Sequence, residues 1–220
     1  MVLDNTKTLA ILGGTGKEGP GLALRWAKAG YHVIVGSRSA EKAQATAAEI
    51  NAQLGIDTVR GMENADAART ADISVLTVVH SAHAEALAGV KEAVRGKILV
   101  DATARVDFKD ARPPGGKAAA REAQELLGPE VRVVAAFQNV PAHALKNLDR
   151  ELSSDVLVCS DDAEARAEVV KLAEAGGMKA YEAGGLDNAV VVEGLTALLI
   201  AINKRYKSKT GGIQITGVTQ

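Results

Sequence analysis

A glycine-rich turn near the start of the chain constrains the fold more than any other feature. The apolar residues 8–12 run into the motif GGTGKEG at residues 13–19, and a helix-like pattern follows. Gly14, Gly16 and Gly19 have the G-x-G-x-x-G spacing of a dinucleotide-binding loop. In such a loop the first glycine allows a tight turn, the second lets a pyrophosphate approach, and the third lets the helix pack on the strand. The same spacing also arises by chance in a simple chain reversal, because glycine is common in this sequence.

The residues after the motif decide between these two interpretations. Residues 21–29 are predicted to form a helix that ends at Gly30, and the apolar residues 31–36 to form a second strand. A β-α-β unit of about 30 residues is the context in which such a loop binds a dinucleotide. The free N–H groups at the start of the helix would then face the phosphates.

The remainder of the chain alternates strand and helix patterns. This predicts an α/β fold, with a Rossmann-type, doubly wound, mainly parallel sheet and a small C-terminal part. Further strands are predicted at residues 58–59, 72–79, 97–101, 131–137, 155–160 and 178–183. Further helices are predicted at residues 40–54, 64–71, 82–95, 118–127, 163–175 and 189–206. The predicted N-caps are Ser39, Asp161 with Asp162, and Asp187.

Three further segments have more than one interpretation. Residues 107–117 contain Pro113-Pro114-Gly115-Gly116 and are predicted to be a long loop, either a lid or a surface insertion. The helix at 189–206 is more apolar than a surface helix and is expected under the sheet edge or at a subunit interface. The tail, residues 211–220, is either an extra strand or a segment packed across a partner.

Composition excludes several classes of protein. A net charge of −1 argues against general nucleic-acid binding. The N-terminus does not resemble a signal peptide, and no apolar run reaches the roughly 18 residues that span a bilayer, so no membrane partner is expected. The single cysteine, Cys159, is expected to be a small buried apolar group and is compatible with a reducing cytoplasm.

The end of the second strand predicts which dinucleotide binds. An NAD site usually has Asp or Glu there, whereas this chain has Gly36, which leaves room for a 2′-phosphate. Arg38 can bind that phosphate through its guanidinium fork, Ser37 can donate a hydrogen bond, and Lys42 can return to it from the next helix. Because charge-assisted contacts contribute about 1.5–3 kcal/mol each, these residues predict NADP(H).

No catalytic constellation stands out. The chain has neither the G-x-S-x-G elbow of α/β-hydrolases nor a Walker loop. His80 and His83 lie close to Glu85, but without a third ligand they are interpreted as polar residues near a cofactor, so no metal site is predicted.

These motifs resemble those of the F420-dependent NADP reductases, over nearly the whole chain. The resemblance is carried by LGGTGKEGPGLALRWAKAG at 12–30, VIVGSRSAEKA at 33–43, VLT at 75–77, VVAAFQNVPAHALKNL at 133–148 and EGLTALLIAINKRYKSKTGGIQITG at 193–217. Such enzymes are homodimers of a small Rossmann domain and move hydride between NADP(H) and the 5-deazaflavin coenzyme F420. The resemblance therefore implies residues 1–150 as an NADP-binding domain. Residues 151–220 would contribute to the second-substrate pocket and the dimer interface.

The resemblance also implies roles for individual residues. Those on the pyrophosphate turn are Thr15, Gly16, Lys17 and Glu18, beside Gly14 and Gly19. Those on the 2′-phosphate are Ser37, Arg38 and Lys42. Those along the dinucleotide path are Val78, His83 and Ala104, with Ala142 against the nicotinamide. Residues 211–213 would edge the deazaflavin pocket, and the basic residues Lys204, Arg205, Lys207 and Lys209 either hold its anionic tail or complement a helix end.

Direct hydride transfer between two rings requires alignment rather than a nucleophile, so no catalytic residue is predicted. Two segments depart from the pattern of the resemblance. Val79-His80-Ser81 stands where a proline is typical, and residues 101–105 are more polar than in some members. Two alternatives therefore stay open: an NADPH-dependent reductase of another acceptor, such as a flavin, metal complex or imine, and a non-enzymatic NADP(H)-binding sensor.

Overall fold

Alternation of strands and helices produces two layers of helices around one sheet. The computed structural model describes residues 6–106, 111–112, 115–149 and 151–218. The strands are β1 (Thr8–Leu12), β2 (His32–Ser37), β3 (Arg60–Glu63), β4 (Ile73–Leu76), β5 (Ile98–Asp101), β6 (Arg132–Ala135), β7 (Val156–Val158) and β8 (Ala180–Glu182). The helices are α1 (Gly19–Lys28), α2 (Ala40–Leu54), α3 (Asn64–Thr70), α4 (His83–Val90), α5 (Ala119–Leu127), α6 (Ala142–Leu145), α7 (Ala163–Ala175) and α8 (Ala189–Arg205).

The main sheet has six parallel strands in the order β3-β2-β1-β4-β5-β6, which confirms the predicted Rossmann-type topology. The chain switches from one side of the sheet to the other between β1 and β4, where Ile11 is paired with both Val35 and Val75. In open α/β sheets, ligands bind at the carboxyl ends of the strands beside such a switch point. The fold therefore places the candidate site at the ends of β1, β4 and their neighbours.

The C-terminal part continues this architecture rather than standing apart from it. Strands β7 and β8 are parallel, and β7 joins the edge of β6 through paired backbone hydrogen bonds of 2.8 and 3.0 Å between Ala135 and Cys159. Trp26 on α1 is fully buried and donates a 2.8 Å hydrogen bond to the carbonyl of Leu172 on α7. A boundary at residue 150 stays a prediction, and the two parts share one continuous core.

Arg25, next to Trp26 on α1, is also buried and makes three hydrogen bonds to backbone carbonyls. Its guanidinium donates to the carbonyls of Leu145, Asn147 and Gly176 at 2.9, 2.9 and 3.1 Å. Burial lowers the pKa of Arg25. The Arg25 side chain thus links α1 to the segment after β6 and to the end of α7, which fixes the position of the helix that follows the glycine turn.

Two sequence predictions of local structure are wrong for identifiable reasons. The strand predicted at 58–59 begins instead at Arg60. The Asn51 side chain donates a 2.9 Å hydrogen bond to the carbonyl of Val59 and accepts a 3.0 Å bond from its N–H, so Val59 cannot pair with a strand. Asp187 does not cap the last helix. Its carboxylate binds Arg121, and the N-cap residue is Asn188, which makes no side-chain capping bond.

Other local predictions are confirmed. Ser39 caps α2 through the N–H of Lys42. Of the predicted pair Asp161 and Asp162, Asp162 caps α7 through the N–H of Ala165, whereas Asp161 binds Arg121 and the N–H of Leu186. Cys159 is fully buried, and burial raises the pKa of its thiol to about 11.

Of the predicted loop at 107–117, residues 107–110 and 113–114 lie outside the described residues. Residues 211–218 of the tail form no strand, but they do run along the sheet. The N–H of Asp155 donates to the carbonyl of Ile213, and the N–H of Ile215 donates to the Asp155 carboxylate.

Candidate functional site

The glycine turn at the end of β1 is packed so tightly that side chains are excluded from two of its three motif positions. A Cβ on Gly14 would lie 2.6 Å from the carbonyl oxygen of Ile11, and one on Gly19 would lie 2.5 Å from the Cα of Gly14. A Cβ on Gly16 would meet its nearest atom at 3.2 Å, and this residue is exposed. The turn thus packs against the protein through Gly14 and Gly19 and presents Gly16 to the outside.

The start of α1 offers its N–H groups to the space beside this turn. No side chain caps the helix, and Pro20 occupies one of its first positions. Uncapped N–H groups at a helix N-terminus, together with the helix dipole, make a site for an anion. Thr15 is half-buried and Lys17 is exposed, so both lie where an anion at the helix end would contact them.

Glu18 is the exception within the turn. Its backbone stands at the N-cap of α1, but the carboxyl oxygen Oε1 is buried and has no hydrogen-bond partner among the described residues. Burial raises the pKa of Glu18 to about 8. The raised pKa favours the neutral carboxyl group, because an unpaired carboxylate is costly in such a place.

At the end of β2 the side chains form a polar rim that continues from the turn. The hydroxyl of Ser37 lies 3.4 Å from that of Thr15 and accepts the N–H of Ser39. Arg38 and Lys42 are exposed beside it. The structure thus brings Ser37, Arg38 and Lys42 to one edge, next to the glycine turn.

Asn64, at the start of α3, was missed by sequence reasoning. Its Oδ1 accepts the N–H of Gly13 at 3.1 Å and lies 2.8 Å from where a Cβ on Gly36 would stand. A side chain at position 36 would require Asn64 to move and to give up its bond to Gly13, so glycine suits the position as the structure stands. The only available signal was an asparagine at the first position of a predicted helix.

Beyond the turn, Val78 follows the carboxyl end of β4, and His83, the first residue of α4, contacts the last residue of β5. A Cβ on Gly13 would lie 2.7 Å from Cγ1 of Val78, so Val78 touches the turn. His83 is buried, and its Nε2 lies 2.6 Å from Oδ2 of Asp101. The other carboxylate oxygen of Asp101 accepts the N–H of Thr103 at 2.9 Å.

Ala104 and Ala142 lie further from this contact. Ala104 is half-buried in the segment after β5. Ala142 begins α6, which packs on α1 where a Cβ on Gly21 would lie 2.5 Å from the Cβ of Leu145. Neither is joined to the glycine turn by a hydrogen bond in the described part of the chain.

A buried polar network around Asp101 was also missed from the sequence. The backbone carbonyl of Asp101 accepts a hydrogen bond from Nε2 of Gln138. The Oε1 atom of Gln138 is buried and has no hydrogen-bond partner among the described residues. Nδ2 of the neighbouring Asn139 is unpartnered in the same sense. Phe137, directly before them, has a φ of 75°, which a bulky residue rarely adopts. The bend turns both amides into the protein at the carboxyl end of β6.

Thr196 on α8 clarifies the orientation of Asn139. The Thr196 hydroxyl lies 3.0 Å from the Gln138 carbonyl and 3.0 Å from the oxygen of the Asn139 amide. One hydroxyl proton cannot be donated to both oxygens. If the oxygen and nitrogen of the Asn139 side-chain amide are exchanged, its NH₂ donates to the Thr196 hydroxyl, which can then donate to the Gln138 carbonyl. The amide oxygen of Asn139 is then the unpartnered atom.

Glu193 is the one carboxylate on the buried face of α8. Its two oxygens accept the N–H groups of Arg105, at 3.3 Å, and Ala119, at 2.8 Å. Burial raises the pKa of Glu193 to about 7, against the opposing effect of these bonds. In the sequence, the available signal was that Glu193 is the single acidic residue in a mainly apolar predicted helix.

The tail and the end of α8 approach the same region. The Ser154 hydroxyl donates to the carbonyl of Asn139, and a Cβ on Gly212 would lie 2.5 Å from Ser154. The basic residues Lys204, Arg205, Lys207 and Lys209 are exposed. No group of three His, Cys, Asp or Glu side chains suited to a metal ion occurs within the described ranges.

The helical residues Leu186–Arg205 are long and apolar enough to cross a membrane by length and composition alone. Only a third of this window is buried in the chain, and the buried part of α8 includes Glu193. The sequence prediction concerned an uninterrupted apolar run, and Asp187 and Glu193 interrupt this segment. The exposed large apolar side chains on α8 are Val191, Leu198 and Ile202, and Tyr206 follows the helix.

Comparison with known proteins gives consistent results. Residues 8–105 match the family described as NADP oxidoreductase, coenzyme F420-dependent. The F420-dependent NADP reductase of Methanothermobacter thermautotrophicus is 42% identical over 224 residues, covering 96% of each chain. That of Methanocaldococcus jannaschii is 42% identical over 223 residues, covering 96% of this chain and 98% of its own. A crystal structure from Arthrobacter sp. FB24, provisionally named an F420-dependent NADP reductase, has a TM-score of 0.79 at 26% identity and covers 96% of this chain and 99% of its own.

Proposed function

The chain belongs to the F420-dependent NADP reductase family, and we propose that it catalyses hydride transfer between NADP(H) and coenzyme F420. The observation that carries this proposal is an identity above 40% that extends over almost the whole of both chains. The two relatives are matched over almost their full length and are named F420-dependent NADP reductases. They therefore do not favour the alternatives, an NADPH-dependent reductase of another acceptor or a non-enzymatic sensor.

The NADP(H) half of the site is assigned to the glycine turn and the polar rim beside it. The pyrophosphate would sit against Gly16 at the N-terminus of α1, and the 2′-phosphate against Ser37, Arg38 and Lys42. The supports are the exposed, uncapped helix end and the exposed cations beside a strand that ends without a carboxylate.

Glu18 leads to a prediction about pH. Binding of the NADPH phosphates next to Glu18 requires the neutral form of its carboxyl group, because an ionised Glu18 would repel the phosphates. The pKa of Glu18 is raised to about 8, so the neutral form predominates below pH 8 and is lost above it. The NADPH dissociation constant should therefore rise about tenfold at one unit above that pKa. In Glu18→Gln, which keeps the shape and cannot ionise, this rise should disappear. Fluorescence titrations of both proteins between pH 7 and 9.5 make the comparison, and parallel curves would refute it.

The deazaflavin half is assigned to the network at the ends of β5 and β6. Gln138 and Asn139 each hold one amide atom without a partner among the described residues, and buried amide groups are almost always hydrogen-bonded. A ring edge bearing N–H and C=O groups, as in the pyrimidinedione of a deazaflavin or the carboxamide of nicotinamide, has the matching chemistry. Val78, His83, Ala104 and Ala142 would line the path between the two halves.

The reaction requires the protein chiefly to align two flat rings and to exclude water. When bound, the two coenzymes supply the redox chemistry themselves. The chain contributes a rigid turn, closed by Gly14 and Gly19, and a segment after β6 that Arg25 ties to α1. A relative displacement of the two ring sites is thereby resisted.

We also propose a homodimer formed through α8, in the cytoplasm. Val191, Leu195, Leu198 and Ile202 recur at intervals of three or four residues, which places them on one face of the helix. Val191, Leu198 and Ile202 are largely exposed, and a second copy would bury this stripe as a coiled-coil seam. The buried thiol of Cys159 needs no oxidising compartment.

A charge in the stripe tests this arrangement. Leu198→Asp should shift the protein from dimer to monomer in sedimentation velocity, because a carboxylate would have to be desolvated in the seam. Ala52→Asp, at an exposed position on α2, serves as the matched control and should sediment as the wild type does. A Leu198→Asp protein that remains dimeric would place the interface elsewhere.

The catalytic proposal is tested by the choice of acceptor. Oxidation of NADPH should be rapid with F420, and negligible with free FMN, ferric complexes or a cyclic imine at equal concentration. Turnover with one of the other acceptors and none with F420 would contradict the proposal.

A further inference from the structure

Hydride transfer between these two coenzymes leaves one proton to be accounted for. Oxidising a dihydro-5-deazaflavin removes a hydride from C5 and a proton from N1, whereas NADP⁺ takes up the hydride alone at C4 of the nicotinamide. The reverse direction consumes one proton. A group that accepts or supplies this proton lowers the barrier if it lies beside the reacting rings.

The buried pair formed by His83 and Asp101 stands at the place where such a group is needed. Asp101 is the last residue of β5, and His83 begins α4, the helix that follows β4, so the pair lies at the edge of the sheet at which ligands of this fold bind. His83 is 3% exposed and Asp101 is fully buried. The pair adjoins the glycine turn through Thr103, whose N–H binds Asp101 and whose hydroxyl lies 3.4 Å from the carbonyl of Val78.

Asp101 fixes the imidazole of His83 in position. The 2.6 Å contact occupies Nε2 and orients the ring, and the second oxygen of Asp101 is held by Thr103. This leaves Nδ1 of His83 as the nitrogen that can exchange a proton with a ligand.

Several charged or titratable groups face His83 from neighbouring elements. They are Asp101 on β5, Glu122 on α5, Glu193 on α8, and His80 in the turn before α4. Burial lowers the pKa of His83, but the hydrogen bond to Asp101 and the charges of Asp101, Glu122 and Glu193 together raise it above its usual value. The imidazolium is therefore stabilised once it forms.

Glu193 is the competing proton acceptor, since it is buried nearby and its pKa is also raised. Both of its carboxylate oxygens are already occupied by backbone N–H groups of Arg105 and Ala119. Glu193 thus acts as a cap for the start of α5, whereas His83 keeps one ring nitrogen available.

His80 is a neighbour of His83 that reaches solvent. The ring of His80 stacks on that of His83 with centroids 5.9 Å apart and planes 20° from parallel. The side chain of His80 is about one third exposed and lies 3.5 Å from Glu122.

We propose that His83, positioned by Asp101, accepts the proton that leaves N1 of the deazaflavin during NADP⁺ reduction and returns it in the reverse direction. The inference rests on the proposed function. The hydride passes from C5 to C4 of the nicotinamide, the N1–H bond breaks, and an Nδ1–H bond forms on His83. The proton is then released to water on the side of His80, whose partly exposed ring borders His83.

The pH dependence of both directions tests this role. In the wild type, kcat for NADP⁺ reduction should rise with pH through the pKa of His83, and kcat for F420 reduction should fall through the same value. His83→Gln should lower kcat on the order of 100-fold and make both profiles flat. Asp101→Asn, which keeps the size of the side chain and removes its charge, should move both midpoints to lower pH. His32→Gln, a histidine exposed at the other end of the sheet, is the control and should behave as wild type.

A measurement without turnover complements the kinetics. The chain has four histidines, so the His83 signal in an NMR titration is assigned by its loss in His83→Gln. Its pKa should lie above the ordinary value in the wild type and lower in Asp101→Asn.

A pH dependence of kcat that persists in His83→Gln would overturn the proposal. If His83→Gln does not fold, Asp101→Asn decides, and midpoints of its kcat profiles equal to those of the wild type would overturn the proposal. Absence of any exchange between NADPH and F420 in the wild type would contradict the proposed function instead, and this inference with it.

Discussion

Replacing Arg38 by alanine should raise the NADPH dissociation constant about 10- to 100-fold, because a charge-assisted contact of about 1.5–3 kcal/mol to the 2′-phosphate is lost. NADH lacks that phosphate, so its dissociation constant should stay within about twofold of the wild-type value. Isothermal titration with both cofactors measures the two effects on one protein. Arg38→Lys should recover part of the loss, since an ammonium keeps the charge without the planar fork.

The matched control for Arg38 is Arg60→Ala, which removes an exposed arginine at the start of β3. It should leave both dissociation constants unchanged, because β3 begins at the end of the sheet away from the nucleotide. An equal loss of NADPH and NADH affinity in Arg38→Ala would show that Arg38 does not contact the 2′-phosphate.

Gly14→Ala should have an effect of comparable size but without discrimination between the two cofactors. The added Cβ would lie 2.6 Å from the carbonyl oxygen of Ile11 and 3.0 Å from a methyl group of Val35, so the turn must move away from both strands. The N–H of Gly14 would then lose its 2.8 Å bond to the carbonyl of Gly36. We expect a destabilisation of about 1–3 kcal/mol, with loss of binding to NADPH and NADH alike.

Gly89→Ala is the control for this substitution. Gly89 lies exposed on α4, and a Cβ there would meet no atom within 4 Å. Alanine in a helix should stabilise the protein by about 0.5–1 kcal/mol and leave cofactor binding intact. Urea denaturation with and without NADPH reports both quantities. A Gly14→Ala protein with wild-type stability and affinity would show that the turn tolerates a side chain.

Features governed by local rules were predictable from the sequence. The glycine turn, the Ser39 cap and the Asp162 cap depend on residues within a few positions of one another, and each formed as the pattern indicated. The alternation of strand and helix likewise determined the topology, because parallel strands joined by helices have few alternatives.

Features that depend on distant residues could not be predicted in the same way. The late start of β3, at Arg60 instead of residue 58, follows from Asn51, and the loss of the Asp187 cap follows from Arg121, each brought close only by folding. The network around Asp101 joins β5, α4 and the residues after β6, and its members His83 and Gln138 lie 55 positions apart in the sequence. A carboxylate at the end of a strand gives no sign of which histidine it will bind.

Following the transferred hydrogen itself shows whether hydride passes directly between the two coenzymes. The protein is incubated in ordinary water with oxidised F420 and NADPH that carries deuterium at both C4 positions, and the reduced F420 is examined by mass spectrometry and NMR. Direct transfer predicts one deuterium at C5 in every product molecule. Product that carries solvent hydrogen at C5, or no reduction of F420 while NADPH remains bound, would contradict it.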